Sequence, residues 1–238
     1  MNRSWFITGT DTGVGKTTVA AALLKAFSRQ GFSTLGMKPV GTGCLYEQGL
    51  WINDDALLLA AHSTLAVSRL PAGIEPEEAA IPWQWINPYA FEPPVAPHIA
   101  AREAGTEIRF SVIEKALRAL QARADVVLVE GAGGFRVPLG PDGDTADLCS
   151  VLALPVILVV GMRLGCINHA LLTEESVKSR GLTLAGWVAN VIDPHMQVFE
   201  ENLATLKQEI RAPFLGLMPY QPEGATEQPA LDIRKLGQ

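Results

Sequence analysis

The stretch GTDTGVGKTT, Gly9 to Thr18, sets Lys16, Thr17 and Thr18 directly behind two glycines. Gly13 and Gly15 free the backbone to turn its N–H groups inward. Lys16 can then reach the β and γ phosphates of a nucleotide, and the Thr17 hydroxyl can ligate Mg²⁺. The fit to the phosphate-loop pattern G-x-x-x-x-G-K-[ST] fails once: the pattern asks for glycine where the chain has Thr10, and the nearest glycine is Gly9. The competing reading, a plain glycine-rich turn, gives no use to a lysine at the start of a helix.

Three further segments carry chemistry. VVLVEGAGG puts Glu130 where an apolar run ends, as a metal-binding carboxylate would be placed, and Gly131, Gly133 and Gly134 then allow close approach of a ligand. Its alternative is a capping or salt-bridged acid. GMKPVGTG places Lys38 just before Pro39, with the Thr42 hydroxyl beyond. Lys38 could neutralise a transferring phosphoryl group or an anionic acceptor, or could be a lysine snorkelling from a strand end. NDDALLLAA offers Asn53 as a helix N-cap with Asp54 and Asp55 in the first turn, where acids also serve the helix dipole. Asn190 could read adenine or cap a strand. His62, His98, His169 and His195 fall in no ligand spacing.

These groups need a frame to bring them together. Residues 4–9, 33–40, 125–131, 155–161 and 184–190 read as buried strands, with a sixth at 214–219. They are apolar on both faces, as a parallel sheet covered on each side requires. Helical patterns at 16–30, 54–62, 110–123, 165–180 and 195–210 alternate with them, which predicts a doubly wound α/β layer. In that fold ligands collect at the carboxyl edge of the sheet, where the loop, Lys38 and Glu130 all fall. Residues 64–98 differ: Pro- and Trp-rich with little periodicity, they read as a long excursion over the surface, a substrate cover or an ornament.

The formal charge of −6 with no basic run speaks against nucleic acid or an anionic membrane as partner. Cys44, Cys149 and Cys166 lie far apart in no C-x-x-C arrangement, which argues against a disulfide framework or a zinc site and suits a cytoplasmic protein. No apolar run approaches the ~18 residues of a membrane span, and the start of the chain leaves no room for a signal peptide.

FITGTDTGVGKT, KPVGTG, NDDALLL, NPYAFEPPVAPHIAA, DVVLVEGAGGFRVPL, LPVILVVGMRLGCINHALLT and GLTLAGWVAN follow one another along the chain. In this order they resemble the dethiobiotin synthetase family, whose loop has the G-x-x-x-x-x-G-K-T spacing, so the displaced glycine is a family signature. The resemblance implies a three-layer P-loop NTPase fold, one α/β domain over 1–238 with a mostly parallel central sheet flanked by helices. It implies a homodimer acting on 7,8-diaminononanoate, CO₂ and ATP with Mg²⁺.

By the same resemblance Lys16 binds the phosphates with Gly13, Val14, Gly15, Thr17 and Thr18. Thr17, Asp55 and Glu130 hold Mg²⁺, Gly131, Ala132 and Gly133 line the nucleotide, and Lys38 stabilises the carbamate and the transferred phosphoryl group. Asn190 with Met218, Pro219 and Tyr220 surrounds adenine, Thr12 contacts the substrate, and Thr42 lies by the diamine or the carbamate. Leu164 to Asn168, with Gly165, Cys166 and Ile167, offers a helix N-terminus to the substrate carboxylate across the dimer interface. Two rival classes are a P-loop partitioning switch, which typically carries a second lysine where this chain has Thr10 to Gly13, and an amide-forming relative, which usually carries a glutaminase domain. The chain departs from the family at Gly13, where glutamate is common, at Thr42, where serine is familiar, and in a longer stretch at 65–86.

Overall fold

In the computed structural model, which describes residues 3–69, 80–220 and 231–236, six strands form one sheet whose pairings are all parallel. Their order across the sheet is Phe214–Met218, Leu184–Val191, Val156–Met162, Arg3–Gly9, Val126–Glu130 and Thr34–Met37. From the central Arg3–Gly9 strand the chain first moves to the Thr34–Met37 edge, fills the gap with Val126–Glu130, and then builds outward on the other side. The winding therefore reverses beside Arg3–Gly9, and a crevice opens at that point of the carboxyl edge.

The strands hold this place because both faces are apolar. Val126–Glu130 and Val156–Met162 are buried at every residue. One face packs on the Lys16–Arg29 helix through Val19, Leu23, Leu24 and Phe27; the other packs on Phe110–Gln121 through Ile113, Leu117 and Leu120. The first of these helices is closed just past its end by Gly31, whose φ of 86° lets the following Phe32 N–H return to the Phe27 carbonyl at 3.3 Å. Asn53 caps Asp54–His62 by accepting the Ala56 N–H at 3.2 Å.

The sequence expectation differs from the structure in four places. The strand expected at 33–40 is two pieces: Thr34–Met37 belongs to the large sheet, whereas Val40–Thr42 pairs with Tyr89–Phe91. Pro39 has no N–H to give to a ladder, so the chain leaves the sheet there. The helix expected at 195–210 begins at Phe199, after a turn in which the Asp193 carboxylate accepts the His195 N–H. Thr145–Leu152, closed by a reciprocal Asp144–Asp147 capping box, is a helix that periodicity does not reveal.

The fourth is the excursion at 64–98, of which residues 70–79 lie outside the described residues. Its described part is not superficial. Ile81, Trp83, Ile86 and Phe91 are buried in the largest apolar cluster, and Trp83–Ile86 forms a short helix. Large apolar side chains on an aperiodic segment still have to leave water, and here they do so against the edge of the sheet.

Candidate nucleotide and acceptor site

Gly9 must be glycine: a Cβ there would lie 2.5 Å from Val14 Cγ2. Thr10 needs no such freedom, and its hydroxyl accepts the Gly161 N–H at 3.3 Å while its own N–H donates to Val159 O at 3.0 Å. The residue at the apparently missing glycine thus clips the loop to the neighbouring strand. Gly13 and Gly15 hold φ values of 73° and 82°, and Lys16 opens a 14-residue helix that has no side-chain cap. That uncapped start leaves backbone N–H groups and the positive dipole end facing the crevice.

The register sets the opposing groups side by side. Glu130 pairs with Ile7, and Val129 pairs with Met37, so Lys38 leaves its strand next to Glu130. Lys38 Nζ donates to Glu130 Oε1 at 2.5 Å and to Asp55 Oδ2 at 2.7 Å. Thr17 Oγ1 stands 2.7 Å from Asp55 Oδ1 and 3.0 Å from Glu130 Oε1, and its one proton serves one of them at a time. A cavity of about 450 Å³ opens onto this cluster. Its lining has a loop wall, Thr12, Gly13, Gly15, Lys16, Thr17 and Thr18, and an acidic wall, Lys38, Thr42, Asp55 and Glu130 with Ala132 and Gly133, and the two meet where Thr17 contacts Asp55 and Glu130.

The two lysines are tuned in opposite directions. Burial and the neighbouring Lys38 charge lower Lys16 to about 8, and among the described residues its Nζ donates to the Asp11 carbonyl, at 3.0 Å. Burial also disfavours the Lys38 charge, but Glu130 and Asp55 outweigh it and the net direction is up. Burial raises Glu130, with Lys38 acting against it. For Asp55, burial is outweighed by Lys38 and Thr17, and the net direction is down.

The residues present fit a small hard cation. Glu130 Oε2 is buried with no partner among the described residues, and it stands with Asp55 and the Thr17 hydroxyl as an all-oxygen donor set. No group of three or more His, Cys, Asp or Glu side chains able to hold a metal occurs among the described residues, but Mg²⁺ characteristically uses one or two carboxylates and takes its other oxygens from water and phosphate.

Other expected site residues lie outside the cavity wall. Gly131 is a packing glycine, since a Cβ there would lie 2.9 Å from the Phe6 ring. Val14 is buried, and its carbonyl accepts Asn190 Nδ2 at 2.8 Å. Asn190 therefore braces the loop from below, and it pairs in register with Met218, beyond which come Pro219 and an exposed Tyr220. Gly165, in the left-handed region at φ 91°, starts the Cys166–Ser179 helix without a side-chain cap, and Ile167 and Asn168 lie in its first turn. The preceding Arg163 pairs with Asp11, which brings this second uncapped helix start beside the loop.

Two asparagine contacts escaped the sequence reading. Asn87 Nδ2 donates to the Lys38 carbonyl at 2.7 Å and to the Tyr89 carbonyl at 3.1 Å, and the Lys38 N–H donates to Ile86 O at 2.8 Å. The 64–98 segment therefore holds the backbone of Lys38. Asn53 Nδ2 donates to the Thr42 carbonyl at 3.2 Å, so the helix cap also places Thr42. The only local signal was Asn87 before a proline, a mark of extended backbone.

The parallel sheet, the glycine loop at its reversal point and the lysine at the uncapped helix start define a P-loop nucleoside-triphosphatase. An AAA domain model matches residues 3–228. Over 235 residues the chain is 52% identical to the ATP-dependent dethiobiotin synthetase BioD of Aromatoleum aromaticum, covering 99% of this chain and 98% of that one. It is 51% identical over 239 residues to the protein of the same name from Nitrosospira multiformis, covering 100% and 98%. The chain belongs to the ATP-dependent dethiobiotin synthetase family. Among solved structures it resembles MinD of Pyrococcus horikoshii complexed with Mg-ADP, at TM-score 0.58 and 16% identity over 99% of this chain and 89% of that one. It also resembles cobyrinic acid a,c-diamide synthase of Mycobacterium smegmatis, at TM-score 0.51 and 18% identity over 91% and 87%. These likenesses concern the fold alone.

No helix among the described residues is long and apolar enough to cross a membrane.

Proposed function

We propose that this chain is an ATP-dependent dethiobiotin synthetase of biotin biosynthesis, a ligase that joins CO₂ to 7,8-diaminononanoate and closes the ureido ring, releasing ADP and phosphate. The observation that carries the reading is that one cavity is lined both by the loop, with Lys16, and by Lys38, Thr42, Asp55 and Glu130. A carbamate and a triphosphate repel each other, and their reaction needs a site that offsets several negative charges while holding both in contact.

In this reading one amine captures CO₂ as a carbamate beside Thr12 and Thr42. A carbamate oxygen then attacks the γ phosphorus and ADP departs. The second amine attacks the carbonyl carbon of the carbamic-phosphoric anhydride, and phosphate leaves as the five-membered ring closes. The loop N–H groups and Lys16 hold the β and γ phosphates, and Lys38 faces the acceptor. Thr17, Asp55 and Glu130 hold Mg²⁺, which when bound neutralises phosphate charge. Asn190 and the Met218–Tyr220 segment lie on the adenine side. No side chain has to act as a covalent nucleophile.

The finer expectations belong to the same reading: one α/β domain over 1–238, a cytoplasmic enzyme and a homodimer. Leu164, 95% exposed just before the uncapped start of the Cys166–Ser179 helix, and Leu172, 56% exposed midway along it, are apolar side chains suited to cover by a second copy. The substrate carboxylate would meet Gly165 to Asn168 across that interface.

The test is ADP release with Mg²⁺ and bicarbonate, with and without 7,8-diaminononanoate, with the product followed by mass. Diamine-dependent ADP with a product heavier than the diamine by a carbonyl less two hydrogens is expected. ADP release indifferent to the diamine overturns the reading.

A further inference from the structure

A second and larger cavity, of about 870 Å³, begins one residue beyond Thr42, at Gly43. Its lining includes the aromatic side chains of Tyr46, Trp51 and Phe91 and the carboxylates of Glu92 and Glu103, but no lysine, arginine or histidine. The other lining residues are small or apolar, which leaves room for an unbranched aliphatic chain. Neither glutamate enters an ion pair among the described residues. Aromatic faces and free carboxylates both attract a cation, and without a basic group an anion has no partner there.

One side of this cleft is a hairpin. Leu45–Glu47 pairs antiparallel with Leu50–Ile52, and Tyr46 stands opposite Trp51 with ring centroids 5.1 Å apart. Tyr46 is 63% exposed and Trp51 36%, so both rings are open to a ligand. The chain enters the hairpin from Thr42 and leaves it at Asn53, whose Nδ2 donates to the Thr42 carbonyl. Asn53 also caps the helix that carries Asp55. A ligand against Tyr46 and Trp51 therefore bears on Thr42 and Asp55, which line the cavity of the phosphate loop.

We propose that the cleft is a second ligand site, for an aliphatic primary ammonium ion whose head lies among the carboxylates and aromatic rings and whose chain lies along the apolar lining, and that its occupancy alters the acceptor wall through the feet of the hairpin. The site does not depend on the synthetase reading; the coupling to the acceptor does.

The first test is calorimetry of n-octylammonium chloride into the full chain at neutral pH, beside n-octanol and octanoate as its neutral and anionic counterparts. One-to-one binding of n-octylammonium is expected, at least about fivefold tighter than either counterpart. Glu92→Gln combined with Glu103→Gln should reduce its advantage over n-octanol to less than about twofold, and Trp51→Ala should weaken it at least about threefold. Both glutamates are exposed, so the double variant should keep its fold by circular dichroism, and Tyr46→Ala replaces Trp51→Ala if that variant does not. n-Octanol bound as tightly as n-octylammonium overturns the proposal, as does an advantage that survives in the double variant. Absence of saturable binding also overturns it and leaves the exposed Leu45, Tyr46 and Trp51 to a protein partner, a second copy included. Displacement of n-octylammonium by 7,8-diaminononanoate would make that diamine the occupant, and failure to displace it assigns the site to another amine.

The second test is diamine-dependent ADP release with saturating n-octylammonium. The half-saturating concentration of 7,8-diaminononanoate is expected to shift at least about twofold in the wild type and to stay in place in the double variant. No shift in the wild type overturns the coupling. An equal shift in the double variant does so too, because it marks competition in the acceptor cavity. A chain with the expected binding pattern but no diamine turnover keeps the site and loses the synthetase reading, together with the coupling that rests on it.

Discussion

The two walls of the cavity use the same residue type for opposite ends. On the loop wall Lys16 donates to a backbone carbonyl and pairs with no carboxylate among the described residues; burial and the Lys38 charge lower its pKa to about 8, and the more distant carboxylates only partly offset them. On the acidic wall Lys38, equally buried, lies between two carboxylates and its pKa rises. The loop wall offers an ammonium and backbone N–H groups to an anion, and the acidic wall closes a lysine between two carboxylates. The difference comes from register: Lys38 leaves its strand beside Glu130, whereas Lys16 sits where a helix begins and N–H groups are spare.

The largest expected effect breaks the acidic wall. Glu130→Ala leaves Lys38 buried with only the half-exposed Asp55 as counter-charge, and loss of one member of a buried pair typically costs about 3–5 kcal/mol. Urea denaturation measures it, and adding Lys38→Met should recover part of the loss. A Glu130→Ala chain as stable as the wild type would mean that the pair is not a closed buried unit.

Next in size is Gly15→Ala on the loop wall. Its backbone has φ 82°, and a new Cβ would fall 2.2 Å from Asn190 Nδ2, displacing the side chain that braces Val14. A strained backbone of this kind costs about 1–3 kcal/mol, and nucleotide affinity should fall with it. Gly165→Ala is the control at the other uncapped helix start. It shares the positive φ but meets nothing within 4 Å, so it should cost the strain alone and leave nucleotide affinity unchanged. Equal losses of nucleotide affinity at the two glycines would remove the special place given to the loop.

Much of this contrast was legible in the sequence, and the reason is local. Lys16, Lys38 and Glu130 each end or begin an element whose apolar pattern is continuous, so their common edge follows from a parallel sheet. Asn87 was not legible because its work, holding the Lys38 carbonyl, joins positions 49 residues apart from within an aperiodic segment. Ile81 and Trp83 were misplaced to the surface for the same cause: burial there is decided by tertiary contact, which periodicity does not encode. Asn190 was read as an adenine or capping group, and only its distance to Val14 O, 2.8 Å, revealed the brace beneath the loop.

A smaller effect sharpens the comparison through pH. Phosphates bind protonated Lys16 and raise its pKa in the complex above the value of about 8 in the free chain. Nucleotide affinity should therefore be flat below about pH 8 and fall above it, by up to about tenfold, or 1.4 kcal/mol, per unit. Lys38 should contribute no break in this range, because its carboxylates hold its proton to higher pH. Lys16→Met should bind weakly with no break near 8. A wild-type profile flat to pH 10 would mean that Lys16 is not the phosphate's partner.

The smallest expected effect is at Arg163, which pairs with Asp11 at the lip of the loop. Both side chains are more than 40% exposed, and pairs of this kind contribute about 0–1 kcal/mol and are screened by salt. The Asp11 carboxylate is also held by the Thr12 N–H at 2.7 Å, the foremost cause of its lowered pKa, so the loop keeps its shape when the arginine is lost. Arg163→Met should move the urea midpoint slightly at low ionic strength and not at all in about 0.5 M NaCl. A loss above about 2 kcal/mol that persists in salt would mean that the loop wall depends on this ion pair for its form. The anion receptor would then be built from side-chain charge, as the acidic wall is, and the distinction between the two walls would fail.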